Sequence, residues 1–278
     1  METTAEIKTK QSNGDKDYGL VSVIMPSYNA AEFLRAAIES VIAQTYTNWE
    51  LIVADDCSTD DSVEIIKAYQ AQHANIRLLQ NEKNYGAAHT RNVALRAAKG
   101  DWIAFLDSDD YWSKEKLEKQ LAFMVENGSV FSYTQYNRTD EKDAMRPEIL
   151  TGPDVVTESL MFRYCYVGCL TVMYKMDAIG LIQIDERIGN GRNDYALWLK
   201  VCKKADCYLL RECLATYRLR LHSLSHTSFF TLLRYQYELF RYGEEKTVVG
   251  ALLFTARNLF YGALKKIFYK RKDKTKGE

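Results

Sequence analysis

The sequence has little proline, no net charge and no cysteine pattern typical of a metal site. Its 278 residues include three prolines, and 37 basic side chains balance 37 acidic ones. A chain without net charge is not expected to bind polyanions over its whole surface, so nucleic acid is not an expected partner. The six cysteines form no CxxC pair and have no histidines at zinc-finger spacing, which argues against a zinc knuckle. We expect buried free thiols.

The N-terminal segment lacks the apolar run of a signal peptide. Residues 1–19 read METTAEIKTKQSNGDKDYG and are almost entirely polar, so we predict that they are disordered. With free thiols and no recognisable leader, the sequence predicts a cytoplasmic protein.

Short apolar runs alternate with amphipathic segments over the first 130 residues. The runs read LVSVIMP, WELIVA, IRLLQ and WIAFLD, and helical spacing follows each of them, at residues 31–44, 61–73, 86–98 and 114–127. Continuous apolar strands between helices are typical of a buried parallel sheet in βαβ units. This half of the chain is therefore predicted to be a doubly wound α/β fold.

Beyond Val130 the pattern is less regular. We predict strands at residues 130–136, 168–175, 207–210 and 214–220, and a helix at 192–205, and interpret them as the mixed second half of the same sheet. Residues 229–270 are predicted to form a mainly helical tail that is rich in aromatic and basic residues. The predicted layout is a disordered segment 1–19, a domain 20–228 and a tail 229–278.

Polar clusters follow the predicted parallel strands, at residues 26–29, 55–56, 81–86 and 107–110. Ligands of doubly wound sheets lie outside the carboxyl ends of the strands, so these clusters are candidate binding residues. The alternative, that they are turn and N-cap residues, suits Ser58, Thr59 and Asp60. It suits Asp55 and Asp56 poorly, because they directly follow the apolar strand.

Three carboxylates crowd into the stretch FLDSDDYW, at Asp107, Asp109 and Asp110. They repel one another unless a cation lies between them, and hard oxygen ligands favour Mg²⁺ or Mn²⁺. Such an ion usually completes its shell with substrate phosphates, so the cluster predicts a metal and a diphosphate. The alternative is an acidic turn before the next helix. Asp110 either orients a ligand or caps that helix.

Four motifs, in this order and spacing, resemble those of the family 2 glycosyltransferases: VSVIMPSYNAAEFLRAAIESVIAQTY, ELIVADDCSTDDS, NYGAAHTRNVAL and GDWIAFLDSDDYW. RNDYALWLK and YRLRLHSLSH resemble later motifs of bacterial members that build capsules, O-antigens and teichuronic-acid-like polymers. The resemblance implies the GT-A fold, a Rossmann-like mixed sheet with helices on both faces. It also implies an inverting, metal-dependent enzyme that moves a sugar from a nucleotide diphosphosugar to a lipid-linked or polysaccharide acceptor.

The resemblance assigns the donor nucleotide to the ends of the first two strands. Pro26, Ser27, Tyr28 and Asn29 are expected beside the nucleobase, where Tyr28 offers a ring for stacking. Asp55 matches the residue that accepts a hydrogen bond from uracil N3, which favours a UDP-sugar. Three residues of the second, third and fourth motifs complete the expected donor contacts: Asp56, Gly86 and Ser108.

The resemblance also assigns the metal and the diphosphate. Asp107 and Asp109 match the DxD element, which implies that Asp109 binds Mn²⁺ or Mg²⁺ and that Asp107 contacts the ribose or the metal through water. Arg91 is expected to pair with the diphosphate; the alternative is an ordinary surface arginine. Ser223, Ser225 or His226 is a further candidate for a contact with the diphosphate; the alternative is that this segment is an ordinary loop.

Asp194 matches the residue that acts as the catalytic base in the family. It stands at the start of a predicted amphipathic helix, so a purely structural N-cap is the alternative. Asn193 departs from the acidic residue or glutamine that usually precedes this aspartate, which leaves the hydrogen-bond support of Asp194 in question.

The tail carries an apolar stripe beside basic residues, which suits a helix lying on an anionic membrane surface near a lipid-linked acceptor. The stripe comprises Leu259, Phe260, Leu264, Ile267 and Phe268, and the basic residues are Lys265, Lys266, Lys270, Arg271 and Lys272. The alternative is a helix packed on the catalytic core.

Two other functions compete with this interpretation. An Mg²⁺-dependent aspartyl-phosphate phosphatase also places a DxD after a strand, but on the first strand and with a Thr or Val where this chain has Tyr111. A catalytically inactive nucleotide-sugar-binding protein would have lost the DxD or the nucleobase carboxylate, and this chain has both.

Overall fold

A computed structural model describes residues 16–146, 148–188, 191–220, 228–268 and 270–272, with side chains through Leu264. Most of the segment 1–19 therefore lies outside the described residues. Its described end contacts the domain, because Trp102 Nε1 donates to the Tyr18 carbonyl at 2.8 Å. Tyr18 thus contacts the domain, and the predicted boundary at Leu20 stays a prediction.

Four parallel strands form one half of a mixed sheet: β1 (Val21–Ser27), β2 (Trp49–Asp55), β3 (Ile76–Gln80) and β4 (Trp102–Phe105). Their order is β3-β2-β1-β4, which confirms the predicted doubly wound half. β1 lies between β2 and β4, so its carboxyl end is the switch point at which such sheets bind ligands. Ser27 pairs with Asp55 across this edge.

Helices cover both faces of the parallel strands: α1 (Ala31–Ile42), α2 (Ser62–Gln70), α3 (Ala87–Ala97) and α4 (Lys116–Glu126). Because side chains alternate along a strand, Val23 and Met25 pack in one hydrophobic cluster and Ile24 in another. All four helices lie within their predicted ranges and are a few residues shorter, which is the usual uncertainty of helix ends.

The second half of the sheet contains β5 (Tyr111–Trp112), β6 (Phe131–Thr139), β7 (Glu148–Leu150), β8 (Val155–Val156), β9 (Met173–Lys175) and β10 (Cys207–Arg218). β9 lies antiparallel between β4 and β6, and β10 pairs with β5, β6 and β8. Two predicted strands, 207–210 and 214–220, are one strand with register shifts on both sides of Cys213. The predicted strand 168–175 begins instead as the 3₁₀ turn Cys169–Thr171.

Three helices, α5 (Glu158–Arg163), α6 (Met176–Ile179) and α7 (Asn193–Cys202), lie within this half. The tail forms α8 (Phe229–Glu238), a π-helical turn Leu239–Gly243 and α9 (Val248–Phe268). Phe240 and Ala251 are fully buried in the same cluster as Phe105 and Trp198, so the tail packs on the domain as the alternative interpretation held. β11 (Lys270–Lys272) pairs with β7, which the sequence did not indicate.

Candidate functional site

The ends of β1 and β2 are joined by polar contacts around Asn29 and Asp55. Asn29 has a φ of 46°, a left-handed conformation that asparagine tolerates. Its side-chain oxygen accepts from Thr59 N–H at 2.8 Å, and its own N–H donates to Ser58 Oγ at 2.9 Å. Ser58 N–H in turn donates to the fully buried Asp55 at 2.9 Å. The exposed ring of Tyr28 lies next to Asn29 in the chain, so the residues expected at the nucleobase are brought together.

Asp56 fixes the loop that precedes α3. Its carboxylate accepts from Asn81 Nδ2 at 2.8 Å, Tyr85 N–H at 2.9 Å and Gly86 N–H at 2.8 Å. Gly86 has a φ of 91°, where a side chain would be strained. A carboxylate at a helix start satisfies N–H groups that have no partner within the helix. This geometry gives Asp56 and Gly86 a role in shaping the loop, and their expected contact with the donor stays a prediction.

The turn Asp107–Asp110 directly follows β4. Ser108 and Asp110 are buried, whereas Asp107 and Asp109 are partly exposed. Asp110 Oδ1 accepts from the backbone N–H of Arg218 at 2.9 Å, and its Oδ2 has no hydrogen-bond partner among the described residues. The N-cap residue of α4 is Glu115, so Asp110 does not cap that helix. Asp110 instead ties the turn to the end of β10.

The carboxylates of this turn are electrostatically strained. Burial, followed by the charge of Asp107, raises the pKa of Asp109. Burial, followed by the charges of Asp109 and Asp107, raises the pKa of Asp110 well above its usual value. The Arg220 guanidinium lies 3.1 Å from Asp109 and opposes the shift at that residue. A further cation at this turn would favour the ionised carboxylates.

Asp107 and Asp109 fit an ion that is shared with substrate. Within the described ranges, no three His, Cys, Asp or Glu side chains are grouped so that they could hold a metal by themselves. Mg²⁺ is usually bound by one or two carboxylates together with water and substrate phosphates. Two partly exposed carboxylates, beside the unpartnered Oδ2 of Asp110, match that donor set.

Arg91 links the acidic turn to α7. Its side chain is buried; Nη2 lies 2.6 Å from Asp107 Oδ1, and Nη1 donates to Asn193 Oδ1. Both Nη groups contact protein side chains, and the expected pairing of Arg91 with the diphosphate stays a prediction. One guanidinium thus holds the tip of β4 against the start of α7, and Asn193 supplies the acceptor.

Asp194 lies in the first turn of α7. The N-cap position belongs to Arg192, so N-capping does not account for Asp194. Its Oδ1 accepts from the backbone N–H of Tyr195 at 2.8 Å. Asn193 and Tyr195 on either side are buried, whereas Asp194 is partly exposed. The chain therefore presents this carboxylate at the surface between two anchored neighbours.

Arg218 and Arg220 belong to the site and were not singled out from the sequence. The Arg218 guanidinium lies 4.7 Å from the centre of the Phe33 ring and 5.4 Å from that of Tyr111, and the backbone N–H of Arg218 donates to Asp110. The available signal was the RLR pattern in a predicted strand, because residues two apart share a face. Ser223, Ser225 and His226, the further candidates for the diphosphate, lie outside the described residues.

The sequence matches known glycosyltransferases. The model of the family described as glycosyl transferase family 2 matches residues 22–173. TuaG of Bacillus subtilis, whose name assigns it as a glycosyltransferase to teichuronic acid biosynthesis, is 42% identical over 207 residues, 74% of this chain and 81% of that protein. The Escherichia coli UDP-Glc:alpha-D-GlcNAc-diphosphoundecaprenol beta-1,3-glucosyltransferase WfgD is 38% identical over 221 residues, 78% of this chain and 84% of that protein.

Solved structures agree on the fold. Staphylococcus aureus TarS in complex with UDP-GlcNAc has a TM-score of 0.67 at 23% identity, covering 86% of this chain and 71% of that one. The mannosyltransferase PcManGT from Pyrobaculum calidifontis, in complex with GDP-Man and Mn²⁺, has a TM-score of 0.61 at 16% identity, covering 88% and 75%. With its GT-A architecture, its DxD turn and these matches, the chain belongs to glycosyl transferase family 2.

Proposed function

We propose that this glycosyltransferase is an inverting, metal-dependent enzyme that moves a sugar from a UDP-sugar to a lipid-linked acceptor in cell-surface glycan synthesis. One observation carries the proposal: Arg91 bonds both to Asp107 of the DxD turn and to Asn193, the neighbour of Asp194. The carboxylates that would hold a metal at the donor diphosphate therefore belong to one site with the carboxylate that would take the proton of the acceptor hydroxyl.

A uridine donor is supported by the end of β2. Ser58 orients the buried Asp55 carboxylate, and uracil N3 carries a proton that such an acceptor binds, whereas cytosine N3 does not. The name of WfgD specifies UDP-Glc and a diphosphoundecaprenol acceptor, and TarS was solved with UDP-GlcNAc. These names support a UDP-sugar donor and an acceptor on a lipid diphosphate for this chain.

Asp109 and Asp107 would hold Mn²⁺ or Mg²⁺. When bound, a divalent ion would neutralise the charge that develops on the leaving diphosphate. Arg220 adds a fixed positive charge at Asp109, and Arg91 adds one at Asp107, so the protein itself contributes to binding an anionic leaving group.

Asp194 would act as the general base. An inverting transfer needs one group that removes the proton of the acceptor hydroxyl while its oxygen attacks the anomeric carbon opposite the leaving group. The Tyr195 N–H orients one oxygen of Asp194. The phosphatase alternative is disfavoured, because the DxD follows β4, the fourth strand along the chain, and not the first.

The function is tested with a panel of UDP-sugars and a soluble GlcNAc-diphospho-lipid acceptor. We expect UDP release with at least one sugar to depend on both Mn²⁺ or Mg²⁺ and the acceptor, with a disaccharide lipid as product. Cleavage of a generic aryl phosphate, with no UDP released from any donor, would contradict the proposal and favour the phosphatase.

We further propose that the enzyme works at the inner face of the cell membrane, bound through one side of α9. Ala251, Thr255 and Asn258 form the buried side of this helix, and Val249, Leu252, Leu253 and Phe260 form an exposed side that we call the α9 apolar face. Leu253 is 67% exposed, and Phe230 of α8 is 81% exposed. A contiguous patch of exposed apolar side chains marks an interaction surface.

Charge favours an anionic bilayer as the occupant of the α9 apolar face. The last fourteen residues, 265–278, include seven lysines or arginines and two acidic residues, and each basic residue near an anionic surface contributes about 1 kcal/mol. Of the predicted stripe, Phe260 is exposed and Leu259 and Leu264 are half-buried. The side chains of Ile267, Phe268 and the five basic residues lie outside the described part. None of the helices in the described ranges has the length and apolar character of a membrane span.

Replacing Leu252 and Leu253 with glutamate should weaken binding to anionic vesicles by about 100-fold, since burial of each leucine is worth at least about 1.5 kcal/mol. Vesicle co-sedimentation at low salt measures the effect. The matched control replaces Val125 and Leu181, which are exposed outside α8 and α9, with glutamate and adds the same charge. Equal binding by the two double variants would contradict a role of the α9 apolar face.

A further inference from the structure

The buried side of α9 carries a polar junction that reaches the helix of the proposed base. Asn258 is buried, and its Nδ2 donates both to the Tyr195 hydroxyl at 2.8 Å and to the Arg163 carbonyl at 3.0 Å. The Tyr195 hydroxyl donates to the Met161 carbonyl at 2.6 Å. Every hydrogen that these two side chains can donate is used, and such satisfied networks fix the groups that they join.

We infer that Asn258 is a positioning residue for the catalytic base, through Tyr195. This inference rests on the proposed role of Asp194. Tyr195 directly follows Asp194, and its backbone N–H donates to Asp194 Oδ1 at 2.8 Å. The ring of Tyr195 is held at its far end by Asn258 and Met161, so the orientation of its peptide, and with it that of the Asp194 carboxylate, depends on the junction.

The junction is one of two anchors on either side of the base. Asn193 is held from α3 by Arg91, and Tyr195 is held from α9 by Asn258. The two donors lie at positions 91 and 258, so the first turn of α7 is fixed by two segments that are far apart in the sequence. Asp194 itself is left partly exposed for the acceptor.

α9 supplies its own control. Thr255 is buried on the same side of the helix, three residues before Asn258, and its hydroxyl has no hydrogen-bond partner among the described residues. Thr255→Val removes a polar group of the same helix without touching the junction. It therefore separates a general disturbance of α9 from the loss of the contact to Tyr195.

The test compares steady-state transfer by the full-length Asn258→Leu, Tyr195→Phe and Thr255→Val variants and by the Asn258→Leu/Tyr195→Phe double variant. We expect the first two to lower kcat about tenfold, as a misplaced catalytic group does, with the KM for the UDP-sugar unchanged. The double variant should be no slower than the slower single variant, because both single variants break the same contact between Asn258 and Tyr195. Thr255→Val should match wild type.

Wild-type kcat in both single variants, an equal loss in Thr255→Val, or multiplicative losses in the double variant would overturn the inference. If Asn258→Leu fails to fold, Tyr195→Phe decides, because it keeps the ring and removes only the hydroxyl. A separate result tests the proposed function: full activity in Asp194→Asn would exclude Asp194 as the base. Wild-type kcat in Asn258→Leu and Tyr195→Phe beside an inactive Asp194→Asn removes only the positioning role.

Discussion

Replacing Asp194 with asparagine should lower sugar transfer by about 10²-fold or more, in line with what a positioned general base contributes. Asparagine has the same shape, and its Oδ1 can accept the Tyr195 N–H that Asp194 accepts. It cannot take a proton from the acceptor hydroxyl. Transfer is measured at saturating donor and acceptor, and the melting temperature and the affinity for UDP should stay unchanged.

Asp185→Asn is the matched control for Asp194→Asn. Asp185 lies nine residues earlier in the chain, and its carboxylate pairs with Arg187 at 2.6 Å. This hydrogen-bonded pairing lowers the pKa of Asp185, which makes it a poor proton acceptor, so Asp185→Asn should keep most of the transfer activity. Near wild-type transfer by Asp194→Asn would contradict the assignment of Asp194 as the base and leave Asp110 as the next candidate.

Mn²⁺ and UDP together should stabilise the wild-type protein more than the sum of their separate effects, and Asp109→Ala should abolish the excess. A ligand at 100 times its Kd stabilises the folded state by about 2.7 kcal/mol. The joint excess arises because diphosphate oxygens would complete the coordination of a metal held by Asp109 and Asp107, so each ligand would strengthen the binding of the other. Thermal unfolding with each ligand alone and with both measures it.

Two further variants control the Asp109→Ala result. Asp109→Asn keeps an acceptor for Arg220 and removes only the charge, so it should lose the joint excess as well. Asp143→Asn removes a carboxylate that pairs with Arg218, two residues before Arg220, and it should keep the excess. Equal shifts by UDP in wild type and in Asp109→Ala, with and without metal, would contradict the metal role.

The parallel half of the fold was predictable because its signals are local. Apolar runs such as WELIVA and the helical spacing after them identify β1 to β4 and α1 to α4 within a few residues. The rule that ligands lie at the carboxyl ends of such strands then singled out Asp55 and Asp107 as candidate binding residues. Irregular strands carry weaker signals: the register shifts around Cys213 made β10 look like two strands.

The contacts of Arg91 and Asp56 were not predictable, because their partners lie far away in the sequence. Arg91 bonds to a residue 102 positions away, and Asp56 to loop N–H groups 29 and 30 positions away. A motif shows that an arginine or a carboxylate is present, but not which partner neutralises it. The same applies to the tail, where the sequence showed an amphipathic helix and only packing identified the buried side.

The anomeric configuration of the transferred sugar tests the central claim most directly. Wild-type enzyme would be given a UDP-sugar with an α-linked anomeric carbon and the lipid-diphosphate acceptor, and the new linkage would be read from the anomeric coupling constant by proton NMR. A single displacement assisted by Asp194 predicts a β linkage. An α linkage would contradict the inverting mechanism and the role of Asp194 as its base.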